Sequence, residues 1–212
     1  ETHLDAADSS LRGIIRAAAD AVEAAEVQLT DLDSKAGDGD LGASMVRGAQ
    51  AVRALPESAW SSPSRAILDI STALRRAIAG SSGPFYAIAL ARAGRHLAQQ
   101  RTLTAENWVE AFELAVAAVT EAGGAKPGDR TMVDALEPAV RSLKSTAGLP
   151  PRERCSLAAD AAAAGAEATA SMSPRLGRAS YLGDRAIGTP DGGAVAVAIW
   201  MRAIAQAISS RA

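Results

Sequence analysis

Apolar residues recur at intervals of three and four positions along most of this chain, which is the period of an amphipathic α-helix. No segment alternates between apolar and polar residues in the way that a half-buried strand does. The pattern predicts eight helices, the seventh of them rich in alanine. Their apolar stripes cover 11–25, 41–52, 67–78, 84–100, 108–119, 132–143, 151–172 and 197–208.

Residues that commonly begin or end helices stand at the borders of these stripes. The predicted N-caps are Ser9 or Ser10, Ser62 with Pro63 after it, Thr104 and Asp129, and the predicted C-cap of the sixth helix is Gly148. Mostly short connections favour antiparallel neighbours. We therefore predict an all-α fold in a single domain, 1–212, with residues 1–8 flexible. One long loop, 174–192, lacks periodicity, and such loops are uncommon without a function.

Three carboxylates, Asp33, Asp38 and Asp40, lie close together in a glycine-rich stretch between the first two stripes. Their mutual repulsion is costly unless a cation neutralises it. Carboxylate oxygens on a flexible loop suit Mg²⁺, so we predict a magnesium site. A solvated acidic turn that caps the next helix remains an alternative. A dinucleotide-binding loop is excluded because no strand precedes it, and an EF-hand because Ala49 stands where its final Glu belongs.

Three further segments carry weaker signals, each of which a plain turn or an ordinary surface charge also explains. Residues 80–84, Gly-Ser-Ser-Gly-Pro, stand at a predicted helix start, where backbone N–H groups favour an anion. Residues 123–132 read as a turn followed by a cap. The loop after Pro174 holds Arg178 and Arg185 among glycines, and arginine can bind phosphate through two N–H groups. Taken with the acidic loop, these segments indicate a Mg²⁺–nucleotide site.

Composition limits the other possibilities. The net charge of −2 argues against a nucleic-acid partner, and a single cysteine, Cys155, excludes an internal disulfide framework. Aromatic residues make up only 3% of the chain, so we expect a core of Ala, Leu, Ile and Val. No apolar run approaches about 20 residues, so we expect no membrane span. The first residues do not resemble a signal peptide. We expect a cytoplasmic chain that, lacking an initiator Met, is processed or excised from a longer one.

Six motifs together closely resemble the nucleotide-binding (L) subunit or domain of dihydroxyacetone kinases. The motifs occur in family order, and the resemblance runs from about residue 9 to the C-terminus. They are Leu-Thr-x-Leu-Asp at 29–33, Gly-Asp-Gly-Asp-x-Gly at 37–42, Ser-Gly-Pro at 82–84, Pro-Gly-Asp-Arg-Thr-Met at 127–132, Gly-Arg-Ala-Ser-Tyr at 177–181 and Asp-x-Gly-Ala at 191–194. The resemblance implies an antiparallel eight-helix barrel with the nucleotide site in loops at one rim.

The resemblance also implies the residues of the site. Mg²⁺, as two ions, would be held by Asp33, Asp38 and Asp40, and would carry ATP or a tightly bound ADP. The implied nucleotide contacts are Leu41, Gly42, Ala43, Ser44, Ser81, Ser82, Gly123, Met132, Arg178, Asp191, Gly192 and Gly193. Ser44, Ser81 and Ser82 would donate to phosphate oxygens, Arg178 would add positive charge, and Met132 would line the base pocket.

In this family a histidine on a separate K subunit or domain holds the ketose. Here His3 lies near the chain end and His96 is interpreted as a surface cation, so neither is expected to hold a ketose. We therefore predict that the chain is half of an enzyme and needs a K partner. The family also forms complexes that contain a homodimer, and one branch uses a phosphocarrier subunit. Leu41 replaces the histidine usual in that branch, which favours ATP as the donor. The alternatives are a fatty-acid-kinase-like ATP-binding domain and a non-catalytic nucleotide-binding regulatory partner.

Overall fold

The computed structural model describes the backbone of residues 2–80 and 82–211 and the side chains of residues 11–80, 82–177 and 179–211. Within this part of the chain all regular structure is helical, which confirms the predicted all-α class. The α-helices are α1 Thr2–Ala24, α2 Glu26–Ala36, α3 Leu41–Arg53, α4 Pro63–Ala77, α5 Ser82–Ala98, α6 Ala105–Gly123, α7 Val133–Ser145, α8 Pro151–Ala168 and α9 Gly192–Ser209. Short 3₁₀ helices cover Glu57–Trp60, Thr169–Ser171 and Arg178–Ala186.

Two predicted helix starts are confirmed. Ser62 accepts a hydrogen bond from the backbone N–H of Arg65, with Pro63 as the first helical residue. Thr104 and Asn107 form a capping box, in which each side chain satisfies a backbone N–H of the other residue. Both caps therefore close the first turn of their helix as the sequence predicts.

Other predicted boundaries are wrong. Ser9 and Ser10 are not caps, because α1 already begins at Thr2. The helix breaks at Ala25, and α2 follows as a ninth α-helix in the described residues. Asp129 does not cap α7, whose N-cap position is Met132. Gly148 lies beyond the end of α7, where Thr146 takes the C-cap position. The long loop before α9 contains a 3₁₀ helix. The flexibility of residues 1–8 stays a prediction.

Eight of the α-helices pack in a closed ring. Each helix from α3 to α8 contacts the next helix in order, while α1 contacts both α9 and α3. The remaining helix, α2, packs against α3 and α9 and also touches the 3₁₀ helix Arg178–Ala186. Contacts between helix ends show which of them lie together. The start of α9 lies beside the starts of α3 and α7, the end of α2 beside the start of α3, and the start of α5 beside the end of α6. Phe85 of α5 and Met132 before α7 also pack in one apolar cluster, so all these ends share one end of the molecule.

Small side chains line many of the helix contacts. Where α7, α8 and α9 meet, Ala135, Ala139, Ala158 and Ala162 are fully buried, and Val197 fills the space between them. Alanine lets helix axes approach closely and costs little side-chain entropy. The core is therefore largely aliphatic, as expected from the low aromatic content.

Helix α9 is long and apolar enough to cross a membrane by length and composition alone. A core helix of a soluble protein passes the same test. Here α9 packs against α1, α7 and α8, and its Trp200 side chain reaches Tyr86 of α5. The sequence predicts no membrane span, and the packing of α9 against other helices accounts for its apolar character without one.

Candidate functional site

Asp33, Asp38 and Asp40 converge where α2 ends and α3 begins. One carboxylate oxygen of each residue lies within 4.8 Å of the others. Asp33 stands on the last turn of α2, not in the loop as expected, and Asp38 and Asp40 are exposed in the short connection to α3. Three carboxylates at this spacing repel one another and together attract a hard cation. This donor set fits Mg²⁺, which prefers oxygen ligands and keeps positions open for phosphate.

The backbone around the cluster fixes its first carboxylate. The N–H of Leu41, the first residue of α3, donates to Asp33 Oδ2 at 3.1 Å. Asp33 thus satisfies an N–H at the start of α3 while its other oxygen stays available for a cation. Helix α3 can approach α2 because Gly42 has no side chain: a Cβ there would collide with the Glu26 carbonyl and the Thr30 hydroxyl. The two helices therefore hold the acidic residues in a defined arrangement.

The start of α9 adjoins this cluster. A Cβ built on Gly192 would lie 2.8 Å from the Leu41 side chain and 3.8 Å from the Asp33 backbone nitrogen. One built on Gly193 would lie 3.8 Å from the Cβ of Met132. The first residues of α3, α7 and α9 are therefore neighbours at one end of the ring. Helix N-termini carry partial positive charge and free N–H groups, so together they favour an anion.

Asp191 caps α9 and is held on both sides. Its Oδ2 accepts a hydrogen bond from Ala194 N–H at 2.9 Å, and its own N–H donates to Thr169 Oγ1 at 2.8 Å. Burial raises the pKa of Asp191 to about 6, an effect that the Ala194 N–H and the Arg130 guanidinium oppose. The nearby Asp134 and Asp33 carboxylates raise this pKa as well. The acidic character of the site therefore extends beyond the three predicted ligands.

The segment between α6 and α7 is organised by a buried carboxylate. Asp134 Oδ1 accepts from Gly128 N–H at 2.6 Å, and its Oδ2 accepts from Thr131 N–H at 2.9 Å. Asp129 accepts from Lys126 N–H at 2.8 Å, so it closes a turn and does not begin a helix. Residues 124–132 thus form the predicted turn, which the Asp134 side chain of α7 holds in place, but Asp129 is not the predicted cap.

The remaining predicted contacts differ in position. Ala43 is exposed on the first turn of α3, whereas Ser44 is only 1% exposed, with its Oγ accepting from Arg47. Ser82 begins α5 and Gly123 ends α6, and Phe85 links these ends because its ring lies 3.0 Å from a Cβ built on Gly123. Ser81 and the Arg178 side chain lie outside the described residues. The roles of all twelve predicted nucleotide contacts stay predictions.

Three polar residues that shape this region were missed by the sequence reasoning. Arg130 is 2% exposed, Asp134 is 5% exposed, and Thr169 is fully buried. Arg130 and Asp134 lie within or beside the Pro127–Met132 motif, which was interpreted as a turn. Nothing in the local pattern of Thr169 distinguishes it from other threonines, because its role depends on Asp191, 22 positions away.

Comparisons with known proteins identify the family of the chain. A family model described as the DAK2 domain matches residues 35–206. The ADP-binding subunit DhaL of the PEP-dependent dihydroxyacetone kinase of Escherichia coli K12 is 35% identical over 182 residues, which cover 84% of this chain and 87% of DhaL. Human triokinase/FMN cyclase is 36% identical over 189 residues, which cover 87% of this chain and 32% of that protein.

A solved structure shares the fold. The dihydroxyacetone kinase from C. freundii in complex with AMP-PNP and Mg²⁺ has a TM-score of 0.75 and 32% sequence identity to this chain. The match covers 92% of this chain and 33% of that protein. The chain therefore spans about a third of the length of several relatives that it matches, and most of the length of DhaL. With a family model over most of its residues, this chain belongs to the DAK2-domain family, which includes the DhaL-type subunits of dihydroxyacetone kinases.

Proposed function

We propose that this chain is the phosphoryl-donor half of a kinase for dihydroxyacetone or a similar short ketose. It would bind a Mg²⁺-nucleotide and transfer a phosphoryl group to a ketose held on a separate K subunit or domain. The observation that carries the proposal is the convergence of Asp33, Asp38 and Asp40 beside the start of α9. The names of the relatives agree, since one is an ADP-binding kinase subunit and a structural neighbour contains AMP-PNP and Mg²⁺.

Phosphoryl transfer depends mainly on positioning and on neutralising negative charge. Asp33, Asp38 and Asp40 would hold Mg²⁺, proposed as two ions, which would supply positive charge to the terminal phosphates. The first N–H groups of α3, α5 and α9 would orient the phosphate oxygens through the helix dipoles. Met132 and Gly123 would border the base, because both lie beside Phe85. Met132 packs in the same apolar cluster as Phe85, and a Cβ built on Gly123 would lie 3.0 Å from the Phe85 ring.

The acceptor is proposed to come from a partner. His96, the histidine among the described side chains, lies 3.1 Å from Glu110 on the outside of α5 and α6 and so is paired rather than a free surface cation. A K subunit or domain would therefore bring the ketose to the acidic cluster. A homodimer within the assembled complex, a phosphocarrier subunit as an alternative donor, and a cytoplasmic location complete the proposal.

Direct binding tests the metal site first. We expect Asp38→Ala to abolish Mg²⁺-dependent ADP binding in calorimetry while circular dichroism shows unchanged helix content. Asp31→Asn is the matched control, because Asp31 is exposed on α2 and lies outside the acidic cluster. Wild-type ADP affinity in the Asp38→Ala variant would contradict the assignment.

Turnover tests the kinase itself. The chain is mixed with a purified K subunit and dihydroxyacetone, and either Mg–ATP or a PEP-driven phosphocarrier system is supplied as donor. We expect dihydroxyacetone phosphate with Mg–ATP, consistent with Leu41 in place of a histidine. Transfer from the phosphocarrier alone would assign the other donor. Tight ADP retention without transfer from either donor would favour a non-catalytic nucleotide-binding partner.

A further inference from the structure

Arg130 is an unusual residue in the turn before α7. Its side chain is 2% exposed, and it is the largest of the fully buried side chains in the described part of the chain. Its backbone has a φ of 62°, in the left-handed region that residues other than glycine rarely adopt. Both features cost free energy, since a buried charge loses its hydration and the left-handed backbone is strained.

The guanidinium group reaches across to the segment just before α9. Arg130 Nη2 donates to the Thr189 carbonyl at 2.6 Å and more weakly to the Ala186 carbonyl at 3.4 Å. Two other bonds hold the same segment: Gly188 N–H donates to the Ala170 carbonyl at 2.6 Å, and Asp191 N–H donates to Thr169. Arg130 is thus the charged side chain among the groups that hold residues 186–191 in place. These residues lead directly into Asp191, the N-cap of α9.

The pairing of this guanidinium is incomplete. Its Nε and Nη1 atoms are buried and have no hydrogen-bond partner among the described residues. The carboxylate of Asp191 is close enough to feel the positive charge of Arg130. Leaving two buried donors unpaired costs free energy, and apolar residues of similar size often stabilise a protein as well as a buried ion pair does, so stability alone is a poor explanation for this arginine. The arrangement therefore points to a role in positioning.

We propose that Arg130 is a positioning residue that holds residues 186–191 against the start of α7, so that Asp191 and the first N–H groups of α9 face the acidic cluster. This inference rests on the proposed function, because it assigns Arg130 to the same nucleotide site. Arg130 acts through the segment it anchors and does not need to touch the nucleotide.

The test separates affinity from stability. Arg130→Met keeps the length of the side chain and the strained backbone but removes the charge and the donors. We expect its melting temperature to stay within a few degrees of wild type, while its dissociation constant for Mg–ADP rises about tenfold or more. Arg130→Gln provides a second variant with a polar group, and we expect the same loss of affinity.

Arg154 offers a matched control. It stands on the first turn of α8, is 3% exposed, and donates to the Leu143 carbonyl at 2.7 Å and to Glu106 Oε1 at 2.6 Å. Its Nε is also buried without a partner among the described residues, but Arg154 lies away from the acidic cluster. We expect Arg154→Met to bind Mg–ADP as wild type does, whatever its melting temperature. Equal losses of affinity in the Arg130 and Arg154 variants would overturn the inference, because a general loss of packing would then explain both.

Hydrogen exchange and chemical rescue give two further readouts. Without nucleotide, the amides of Gly188 and Asp191 should exchange faster in Arg130→Met than in wild type, and should be unchanged in Arg154→Met. In Arg130→Ala, millimolar guanidinium should restore Mg–ADP affinity and methylammonium should not. Wild-type affinity in Arg130→Met, with a wild-type chain that binds Mg–ADP, would overturn this inference alone. A wild-type chain that binds no Mg–ADP would overturn the proposed function and the inference together.

Discussion

Gly37 brings the chain past the Asp33 carboxylate immediately after α2 ends. A Cβ built on Gly37 would lie 2.6 Å from Asp33 Oδ1, which is closer than non-bonded atoms approach. Asp33 cannot simply turn away, because its Oδ2 accepts the Leu41 N–H at the start of α3. The absence of a side chain at position 37 therefore keeps one oxygen of Asp33 in place for a cation.

We expect Gly37→Ala to weaken Mg–ADP binding about tenfold or more, because the added methyl group displaces a proposed metal ligand. Calorimetry measures the affinity, and circular dichroism should show wild-type helix content because Gly37 lies outside α2. Gly148→Ala is the control, since that glycine is exposed and a Cβ there would meet no atom within 4 Å. Equal affinities in the two variants would argue against Asp33 as a ligand.

Single residues could be assigned from the sequence where their chemistry is local. The spacing of Asp33, Asp38 and Asp40 predicts a cluster, and the structure brings their oxygens together. Arg130 could not be assigned in this way, because its buried state depends on carbonyl groups 56 and 59 positions further along the chain. A local pattern does not show which charged residues will be enclosed by distant segments.

At the scale of the helices, the sequence missed α2. Its apolar residues Val27, Leu29 and Leu32 do not follow a spacing of three and four throughout, and Val27 is 74% exposed while Leu29 is fully buried. A helix that buries a single residue leaves little periodicity in the sequence. The stripes of α4 and α6 were clear because several of their residues face the core, and their caps were recognisable from local side chains.

A hydrogen bond between α5 and α9 crosses the ring. Trp200 Nε1 donates to Tyr86 Oη at 2.9 Å, and the two rings meet edge to face with centroids 6.5 Å apart. Burial raises the pKa of the Tyr86 phenol to about 12 from 10.0, although the Trp200 bond lowers it. Because the phenol ionises near pH 10 in the unfolded chain and near pH 12 in the fold, its contribution to the free energy of unfolding is fully present below about pH 10. This contribution is lost as the pH rises through about 12.

We expect Tyr86→Phe to lower the free energy of unfolding at neutral pH by about 1–2 kcal/mol, because the Trp200 N–H loses its acceptor. The variant should also lack the part of the alkaline destabilisation that Tyr86 causes, about 2–3 kcal/mol between pH 10 and 12. Urea unfolding at neutral and alkaline pH measures both effects. Tyr181→Phe, at a position 93% exposed, should match wild type at neutral pH. A Tyr86→Phe profile parallel to wild type up to pH 12 would refute the assignment.

At the scale of the whole molecule, the candidate site is assembled from segments far apart in the sequence. The end of α2, the turn before α7 and the start of α9 meet because the helices form a ring and α9 contacts α1. Helical periodicity predicts which residues face a core but does not determine the order of helices around it. The sequence therefore predicted the helices other than α2, whereas the contacts that bring their ends together required the structure.

A site made from several helices should couple ligand binding to the stability of the whole fold. A ligand that binds only the folded state at 100 times its dissociation constant adds about 2.7 kcal/mol, which is about 5–10 °C in melting temperature for a chain of this size. We expect this shift with ADP and Mg²⁺ together, and little or no shift with ADP in EDTA, because the metal links the phosphates to the carboxylates. Differential scanning fluorimetry measures it. An equal shift without the metal would mean that the nucleotide binds independently of Asp33, Asp38 and Asp40, and the proposed donor chemistry would then lose its basis.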